Sequence, residues 1–364
     1  NEGEVAPHLA LLEKARYTVA KIKRGERRRR PQPPFTTSTL QQEASKRLGF
    51  GASRTMTVAQ KLYEGMEIGE GGAVGLITYM RTDSTTVSTQ AVAEARDFVR
   101  KQYGPDYLPA TAPVYKTRAR GAQEAHEAIR PTSVARQPDS VKEFLSAEQY
   151  KLYRLIWQRF VASQMEPAVY NTVTVDIEAA TSGPTYWFRV SGSSIKFPGY
   201  LVVYEEAKEE DAVPDDETEA ALLPDMSEGE LLDLLRLLPQ QHFTEPPPRY
   251  TEATLVKALE EDGIGRPSTY AAILSTIQQR GYVLREDKRL KPTEVARVVT
   301  DLLVAHFPDI VDVTFTASME EDLDRIAAGE RQWVPVLREF YAPFSQRLQT
   351  AKALLPSVSV APEP

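Results

Sequence analysis

Apolar side chains recur at helical spacing along much of the chain. Those at the start predict a helix over residues 6–23, through Leu12, Ala15, Val19 and Ile22. The same spacing predicts helices over residues 39–48, 55–64, 88–103 and 146–165. Gly49 and Gly65 follow two of these segments, at positions where glycine commonly ends a helix.

The period changes from helical to alternating after Pro167. Residues 171–178 and 185–190 alternate as strands do, and a Ser-Gly-Pro turn lies between them. Helical spacing then returns over residues 252–261, 268–279, 294–306 and 318–328. In the last of these, the acidic side chains are expected to face solvent while Met319, Leu323 and Ile326 face inward.

The proline cluster and these changes of period divide the chain into four predicted segments, of which residues 1–30 are the first. Residues 31–166 are expected to form a mainly helical domain, which follows the proline cluster that begins at Pro31. Residues 167–243 are expected to be rich in β-structure and to include an acidic loop. Residues 244–364 are predicted to form a second helical domain, and the fold class is therefore multidomain α+β.

Composition and charge exclude several classes of protein. The chain has 364 residues, of which 41% are hydrophobic and 26% charged, and it holds no apolar run of the ~20 residues that a membrane span requires. These values are typical of a soluble protein. With no cysteine and only four scattered histidines, neither a disulfide nor a thiolate zinc site can form, and a metal cluster is not indicated.

The net charge of −7 is unevenly distributed. Residues 205–233 hold 13 acids against one lysine, which leaves the remainder at +5. A mildly basic protein with an acidic insert is compatible with DNA binding. The arginine run at 27–30 could contact phosphate or form a solvated basic face.

Tyr79 and Arg81 form the first candidate site. In an extended segment both project to one side, while Met80 and Thr82 project to the other. A neighbouring guanidinium favours the phenolate and can hold a phosphate, so attack of tyrosine on a phosphodiester is the chemistry to test. The alternative is a half-buried strand over residues 76–80 whose tyrosine packs in a core. Asp83 could orient Arg81 or cap the following turn.

A second candidate is His126, which lies in the sequence QEAHEAIRP. A histidine flanked by carboxylates can be held protonated beside a phosphate or can transfer a proton. A lone histidine in a helix is more often structural.

The third candidate is a helix, a glycine turn and a second helix, over residues 252–281. This arrangement is typical of a helix-turn-helix unit, although glycine turns between helices are also common in purely structural pairs. Ser268 is predicted to cap the second helix, whose free N–H groups could bind an anion. Arg266, Ser268 and Thr269 are then expected where a phosphate would lie.

The three segments together resemble one family. The chain is similar to bacterial type IA DNA topoisomerases over nearly all its length, through the motifs LLEKARY, PPFTTSTLQQEA, ITYMRTDS, EAHEAIRP, GIGRPSTY and FTASME. The resemblance implies the segments of a toroidal fold, with a helical tyrosine domain, a β-rich arch to which residues 1–30 also belong, and a helical DNA-binding domain.

The resemblance also implies a reaction. Tyr79 corresponds to a nucleophile that cleaves one DNA strand and becomes linked to the 5′ phosphate, after which strand passage and religation relax negatively supercoiled DNA without ATP. Arg81 would stabilise charge on the scissile phosphate and His126 would assist nearby. The resemblance also implies that Asp83, in the same ITYMRTDS motif, belongs to the catalytic residues. Arg81 also belongs to the implied DNA path, together with Arg266, Ser268, Thr269 and Arg280.

One departure from the family pattern limits this reading. The family's acidic D-x-D-x-E-G-E motif and its four-cysteine zinc modules are absent from the sequence, so the Mg²⁺ used in religation has no evident ligands here. We therefore expect a fragment that lacks the metal-binding Toprim domain and is catalytically deficient by itself. The family further implies a monomer in the bacterial cytoplasm, associated with the nucleoid. The alternatives are a non-catalytic DNA-binding module on residues 252–281 and a structural arch piece that binds no DNA.

Overall fold

The structure is a computed structural model that describes residues 2–69, 72–115, 126–205 and 223–354. Its helices are α1 Glu2–Leu12, α2 Thr37–Leu48, α3 Ala52–Glu64, α4 Thr89–Tyr103, α5 Ala147–Ser163, α6 Glu252–Glu261, α7 Tyr270–Gln279, α8 Glu294–His306, α9 Val313–Ala327 and α10 Trp333–Leu354. Its strands are β1 Arg16–Arg29, β2 Met66–Glu67, β3 Ala73–Val74, β4 Ala168–Ala180, β5 Tyr186–Phe197, β6 Leu231–Leu232, β7 Val283–Glu286 and β8 Arg289–Pro292.

The chain divides into two compact units, each built from two separate stretches of sequence. The first unit combines Asn1–Pro31 with Met165–Pro248, and the second combines Gln32–Gln164 with Arg249–Pro364. The further division of the second unit into residues 31–166 and 244–364 stays a prediction. Among the described residues, no helix has the length and apolar character that crossing a bilayer requires.

The first unit is built on an antiparallel sheet in the order β5-β4-β1-β6. The strands predicted from the alternating pattern are present as β4 and β5, although both are longer than predicted. Val19 of β1 and Val175 of β4 are completely buried, and Ala179 packs with Leu12 in a small apolar cluster. The sheet therefore has a core only along part of its length.

The helix predicted over residues 6–23 is wrong in its second half. The helix ends at Leu12, whose carbonyl accepts a hydrogen bond from the Tyr17 hydroxyl at 2.9 Å, and β1 begins at Arg16. β1 pairs with β4 from Arg16 to Arg29. This long-range pairing outweighs a local helical spacing that happens to continue through the strand.

The arginine run lies on β1. The Arg27 guanidinium lies 5.5 Å from the centre of the Tyr170 ring, on the facing strand, and Arg28 pairs with Glu166 at 3.2 Å. Part of the positive charge is therefore already engaged within the first unit.

The second unit is mainly helical and has the larger core. Leu40, Leu62, Ile156 and Phe160 are almost completely buried between α2, α3 and α5. α2, α5 and α6 each begin with a reciprocal capping box, which satisfies backbone donors at the helix start. Glycines end α2 and α3 as predicted, at Gly49 and Gly65.

Candidate active site and nucleic-acid interface

Tyr79 lies on a loop that bends at Thr78 and Met80, and the alternative of a strand over residues 76–80 is wrong. Ile77 forms only an isolated bridge with Pro131. The N–H of Thr78 donates to the Arg130 carbonyl at 2.9 Å, and the Thr78 hydroxyl donates to the Ala128 carbonyl at 2.7 Å. This part of the loop is therefore bonded to the segment that contains His126.

The other side of the loop is fixed by a buried threonine at the start of α2. The Thr37 hydroxyl donates to the Met80 carbonyl at 2.7 Å and accepts from the Thr82 N–H at 2.8 Å. The Thr37 N–H also donates to the Thr82 carbonyl at 2.8 Å. Tyr79 is thus held between two anchored residues, Thr78 and Met80.

Side chains alternate along this loop as the sequence predicts. Tyr79 is 41% exposed and Arg81 is exposed, while Met80 and Thr82 are 1% and 2% exposed. The alternation of exposed and buried side chains persists although the chain bends at Thr78 and Met80 and forms no strand. The packed-core reading of Tyr79 is therefore wrong. Its ring meets the ring of Tyr63, which is also 41% exposed, edge to face with ring centres 5.3 Å apart.

Arg81 has no hydrogen bond or ion pair within the part of the chain that the structure describes. The expected pairing of Asp83 with Arg81 is accordingly not found, and the next helix, α4, is capped by Ser88. The side chains of Arg81 and Tyr79, two residues apart, are both exposed. An exposed cation beside an exposed phenol is a suitable arrangement for binding a phosphodiester.

His126 lies at the start of the segment that anchors Thr78, and it is exposed in a non-helical stretch. Its neighbour Glu127 is paired with Arg130, through hydrogen bonds of 2.6 and 2.9 Å. The Glu127 carboxylate is therefore hydrogen-bonded to Arg130 and not to His126. The preceding residues 123–125, which include the other predicted carboxylate, lie outside the described residues.

The helix pair of the third candidate is present as α6 and α7, but the cap was predicted wrongly. α7 begins at Tyr270, and its N-cap is Thr269 rather than Ser268, which is exposed. The Thr269 hydroxyl instead accepts from the Arg266 N–H at 2.8 Å, so it closes the glycine turn. Arg280 is exposed at the opposite end of α7.

The first and third candidates both belong to the second unit, where α2, which anchors the Tyr79 loop, contacts α6. Tyr270 is buried, and burial raises its pKa, with further contributions from the charges of Glu260 and Asp83. The charge of Asp83 therefore acts on the first residue of α7. In addition, Ser38 of α2 hydrogen-bonds the carboxylate of Glu260 on α6.

Arg266 is the residue whose surroundings differ most from the prediction. Its guanidinium donates to Asp324 Oδ2 at 2.7 Å and lies 3.7 Å from Glu320 Oε2. Burial acts to lower the pKa of Arg266, and the hydrogen bond and charge of Asp324 outweigh that effect, so the pKa is raised. The acidic side of α9 was expected to be solvated, yet these two carboxylates face Arg266, while Leu323 is 52% exposed.

Sequence reasoning missed Thr37, Thr78 and the two carboxylates of α9. The spacing of Ala317, Glu320 and Asp324, three and four residues apart, places all three on one helical face. That spacing is the signal that could have indicated a shared contact. The two threonines carry no local signal, because their partners lie far away in sequence.

No group of histidine, aspartate or glutamate side chains in the described part of the chain is arranged to hold a metal ion. Two acids near the candidate residues are already paired, Glu127 with Arg130 and Asp324 with Arg266, and Asp83 belongs to no group in the described residues that could hold a metal ion. The described residues therefore do not fit a Mg²⁺ site.

Comparison with known proteins identifies the family. A family model described as DNA topoisomerase matches residues 2–338. The chain belongs to the DNA topoisomerase I family. It is 50% identical to DNA topoisomerase 1 of Xylella fastidiosa over 337 residues, and 47% identical to that of Rickettsia felis over 350 residues.

A solved structure agrees with this assignment. Full-length topoisomerase I from Thermotoga maritima matches with a TM-score of 0.78 and 38% identity, covering 95% of this chain and 54% of that one. The α+β fold implied by the family resemblance is confirmed. The two aligned regions cover 93% and 96% of this chain, but only 41% and 44% of the Xylella and Rickettsia proteins. It thus spans less than half the length of those topoisomerases.

Proposed function

We propose that this chain carries the strand-cleaving tyrosine of a type IA DNA topoisomerase, which relaxes negatively supercoiled DNA without ATP. The observation that carries the proposal is the loop around Tyr79, where the side chains of Tyr79 and Arg81 are exposed and the intervening Met80 is buried. Family membership supports the same chemistry.

The proposed cleavage is a transfer of one phosphodiester bond. The Tyr79 oxygen attacks the phosphorus of the scissile phosphodiester. A bond forms between the tyrosine oxygen and this phosphorus, which stays on the 5′ end of one DNA fragment, and the bond from phosphorus to the 3′ oxygen of the other fragment breaks. The phenol loses its proton and the departing 3′ oxygen gains one. Because the energy of the broken bond is kept in the tyrosyl ester, the 3′ hydroxyl can reverse the attack after another strand has passed, and no ATP is needed.

Arg81 and His126 would act on the phosphate during this step. The Arg81 guanidinium can donate two hydrogen bonds to non-bridging phosphate oxygens, where negative charge increases in the transition state. His126 would contact the same phosphate or carry a proton, since its segment is bonded to Thr78 beside the nucleophile. Asp83 is assigned a supporting role near Tyr270.

The path of single-stranded DNA is proposed to continue along the α6–α7 turn. Arg266, Ser268 and Thr269 lie at the start of α7, and Arg280 lies at its end. Cations there would contact phosphates and fix the register of the strand. The family uses Mg²⁺ in religation, but the residues described here do not fit that ion, and we propose that its ligands come from outside the given sequence. The 364 residues alone are then expected to be catalytically deficient.

The decisive experiment uses the full-length protein that contains this chain. It is incubated with negatively supercoiled plasmid and Mg²⁺ without ATP, and covalent adducts are trapped with denaturant. We expect relaxation and a protein–DNA adduct, both abolished by Tyr79→Phe. The matched control is Tyr341→Phe, which removes a phenol that is 63% exposed on α10 and should change neither result.

A non-catalytic DNA-binding module is the competing function, and the α6–α7 helix pair favours it. It predicts that DNA binding depends on Arg266 while no adduct forms in any variant. An adduct that persisted in Tyr79→Phe would contradict the assignment of the nucleophile.

A further inference from the structure

Arg266 is proposed above to contact DNA phosphate, yet in this structure its guanidinium is already occupied. One terminal nitrogen, Nη1, donates to the Gly265 carbonyl at 2.9 Å, and the other, Nη2, donates to Asp324 at 2.7 Å. Glu320 lies on the remaining side, 3.7 Å from Nε. A phosphate could engage this guanidinium fully only by replacing a carboxylate.

The helix that carries these carboxylates is packed against the turn of Arg266. A Cβ atom built on Gly263 would lie 3.5 Å from the Cβ of Ala317, which places α9 directly beside the glycine turn. Ala317, Glu320 and Asp324 share one helical face. The contact is therefore built into the fold of the second unit and is not a chance meeting of two long side chains.

The carboxylates are suited to exchange with a phosphate. The side chains of Arg266 and Asp324 are 28% and 36% exposed, so an incoming strand can reach them. Carboxylate and phosphate present similar pairs of oxygens to a guanidinium, so either can accept its hydrogen bonds. Binding of DNA would then gain a phosphate contact and lose an ion pair.

We propose that Asp324, assisted by Glu320, competes with DNA phosphate for Arg266 and thereby lowers the affinity of the single-stranded DNA path. This inference rests on the proposed DNA-binding role of Arg266. The protein would then bind single-stranded DNA with lower affinity than an unpaired Arg266 would give. A lower affinity favours release of the strand after religation.

The test measures the affinity of the full-length protein for a labelled oligothymidylate of about 20 nucleotides. All variants carry Tyr79→Phe, so that cleavage cannot complicate binding. Asp324→Asn keeps the size of the side chain and removes its charge, and we expect binding to tighten about twofold to fivefold, the range of a partly exposed ion pair. Glu320→Gln is expected to tighten binding less, because its carboxylate lies farther from the guanidinium.

The matched control is Glu321→Gln, which removes the same charge from an exposed position of α9 and should leave affinity unchanged. Arg266→Ala should weaken binding at least about tenfold and lower the salt dependence by roughly one phosphate contact. In the Arg266→Ala background, Asp324→Asn should have no effect, because the competition requires the guanidinium.

The outcomes separate the inference from the proposed function. If Arg266→Ala binds DNA like the parent protein, the DNA-binding role of Arg266 is wrong, and the inference falls with it. If Arg266→Ala weakens binding but Asp324→Asn does not tighten it, only the competition is wrong. Weaker binding by Asp324→Asn together with a lower melting temperature would show that the ion pair is a structural clamp, and this too would overturn the inference.

Discussion

The hydroxyl of Thr37 lies 2.7 Å from the carbonyl oxygen of Met80, the residue that follows the candidate nucleophile. Thr37 is the first residue of α2 and is completely buried, so its rotamer is fixed by packing as well as by hydrogen bonds. It also accepts from the Thr82 N–H at 2.8 Å. The Thr37 side chain therefore fixes the backbone from Met80 to Thr82, directly after Tyr79.

Replacing Thr37 by valine is predicted to reduce catalysis without reducing DNA affinity. Valine keeps the shape but leaves the Thr82 N–H without its side-chain acceptor, which costs about 1–3 kcal/mol of stability. A loop displaced by even ~1 Å misplaces the phenol, and losses near 100-fold are typical of such shifts. Plasmid relaxation and oligonucleotide binding, measured on the same full-length protein, check both parts.

Thr37→Ser is the control, since serine retains the hydroxyl that makes both contacts. It should keep most of the relaxation rate. Equal loss in the serine and valine variants would mean that the methyl group, and not the hydrogen bonding, holds the loop.

Gly75 is predicted to be intolerant of any side chain. A Cβ atom there would lie 2.6 Å from the carbonyl oxygen of Tyr63, a distance that only a backbone shift can relieve. Gly75→Ala should therefore lower the melting temperature and slow adduct formation, because the same backbone leads to Tyr79 within four residues.

Gly72→Ala offers a close comparison, since a Cβ there meets no atom of the described residues within 4 Å. It should melt like the wild-type protein and form adduct at the same rate. If the two alanine variants behave alike, the close approach of Gly75 to Tyr63 is not what constrains the loop.

How far the sequence predicts this molecule depends on the range of the interactions. The helix α6 was predicted with its observed bounds, because its capping residue and apolar spacing are local. β1 was not, because its partner β4 lies in a distant part of the chain. The exposure of Tyr79 and Arg81 around a buried Met80 was predictable, since the alternation of polar and apolar residues there is a local pattern.

The supporting contacts of the candidate site could not be predicted in the same way. The Thr37–Met80 bond joins residues 43 positions apart, and the Arg266–Asp324 bond joins residues 58 apart. A polar side chain in a sequence gives no indication of a partner at such a distance. The motifs therefore indicate the reactive groups, while the residues that hold or oppose them emerge only from the fold.

The sheet of the first unit is predicted to lose a contribution to stability at low pH. Asp176 and Arg189 face each other on β4 and β5, and the guanidinium donates to both carboxylate oxygens, at 2.6 and 3.1 Å. The hydrogen bonds from Arg189 are the main cause that lowers the pKa of Asp176.

A lowered carboxyl pKa means that this stabilisation is present above the ordinary carboxyl pKa of ~4 and is lost as the pH falls through the lowered value. Asp176→Asn should therefore lower the melting temperature near neutral pH, and its difference from the wild-type protein should shrink at an acidic pH, as the pH falls through the lowered pKa of Asp176. Because the Arg189 side chain is 70% exposed and its charge is screened by water, the effect should be small. A variant that is destabilised equally at both pH values would show that packing, and not charge, is responsible.

Neutralising Glu252 is predicted to destabilise the contact between α6 and α3. It is the first residue of α6 and is 8% exposed, and its carboxylate accepts from the Ala52 N–H at 2.9 Å and from Arg285 at 3.3 Å. Ala52 begins α3, so the negative charge also lies at a helix N-terminus, where it is favoured.

Glu252→Gln keeps the shape but offers one acceptor in place of two, and should reduce the free energy of unfolding by about 1–3 kcal/mol. Glu261→Gln, at the exposed last position of the same helix, should change it by less than about 0.5 kcal/mol. Urea unfolding of both variants decides the matter, and equal midpoints would show that the buried carboxylate contributes no more than a solvated one.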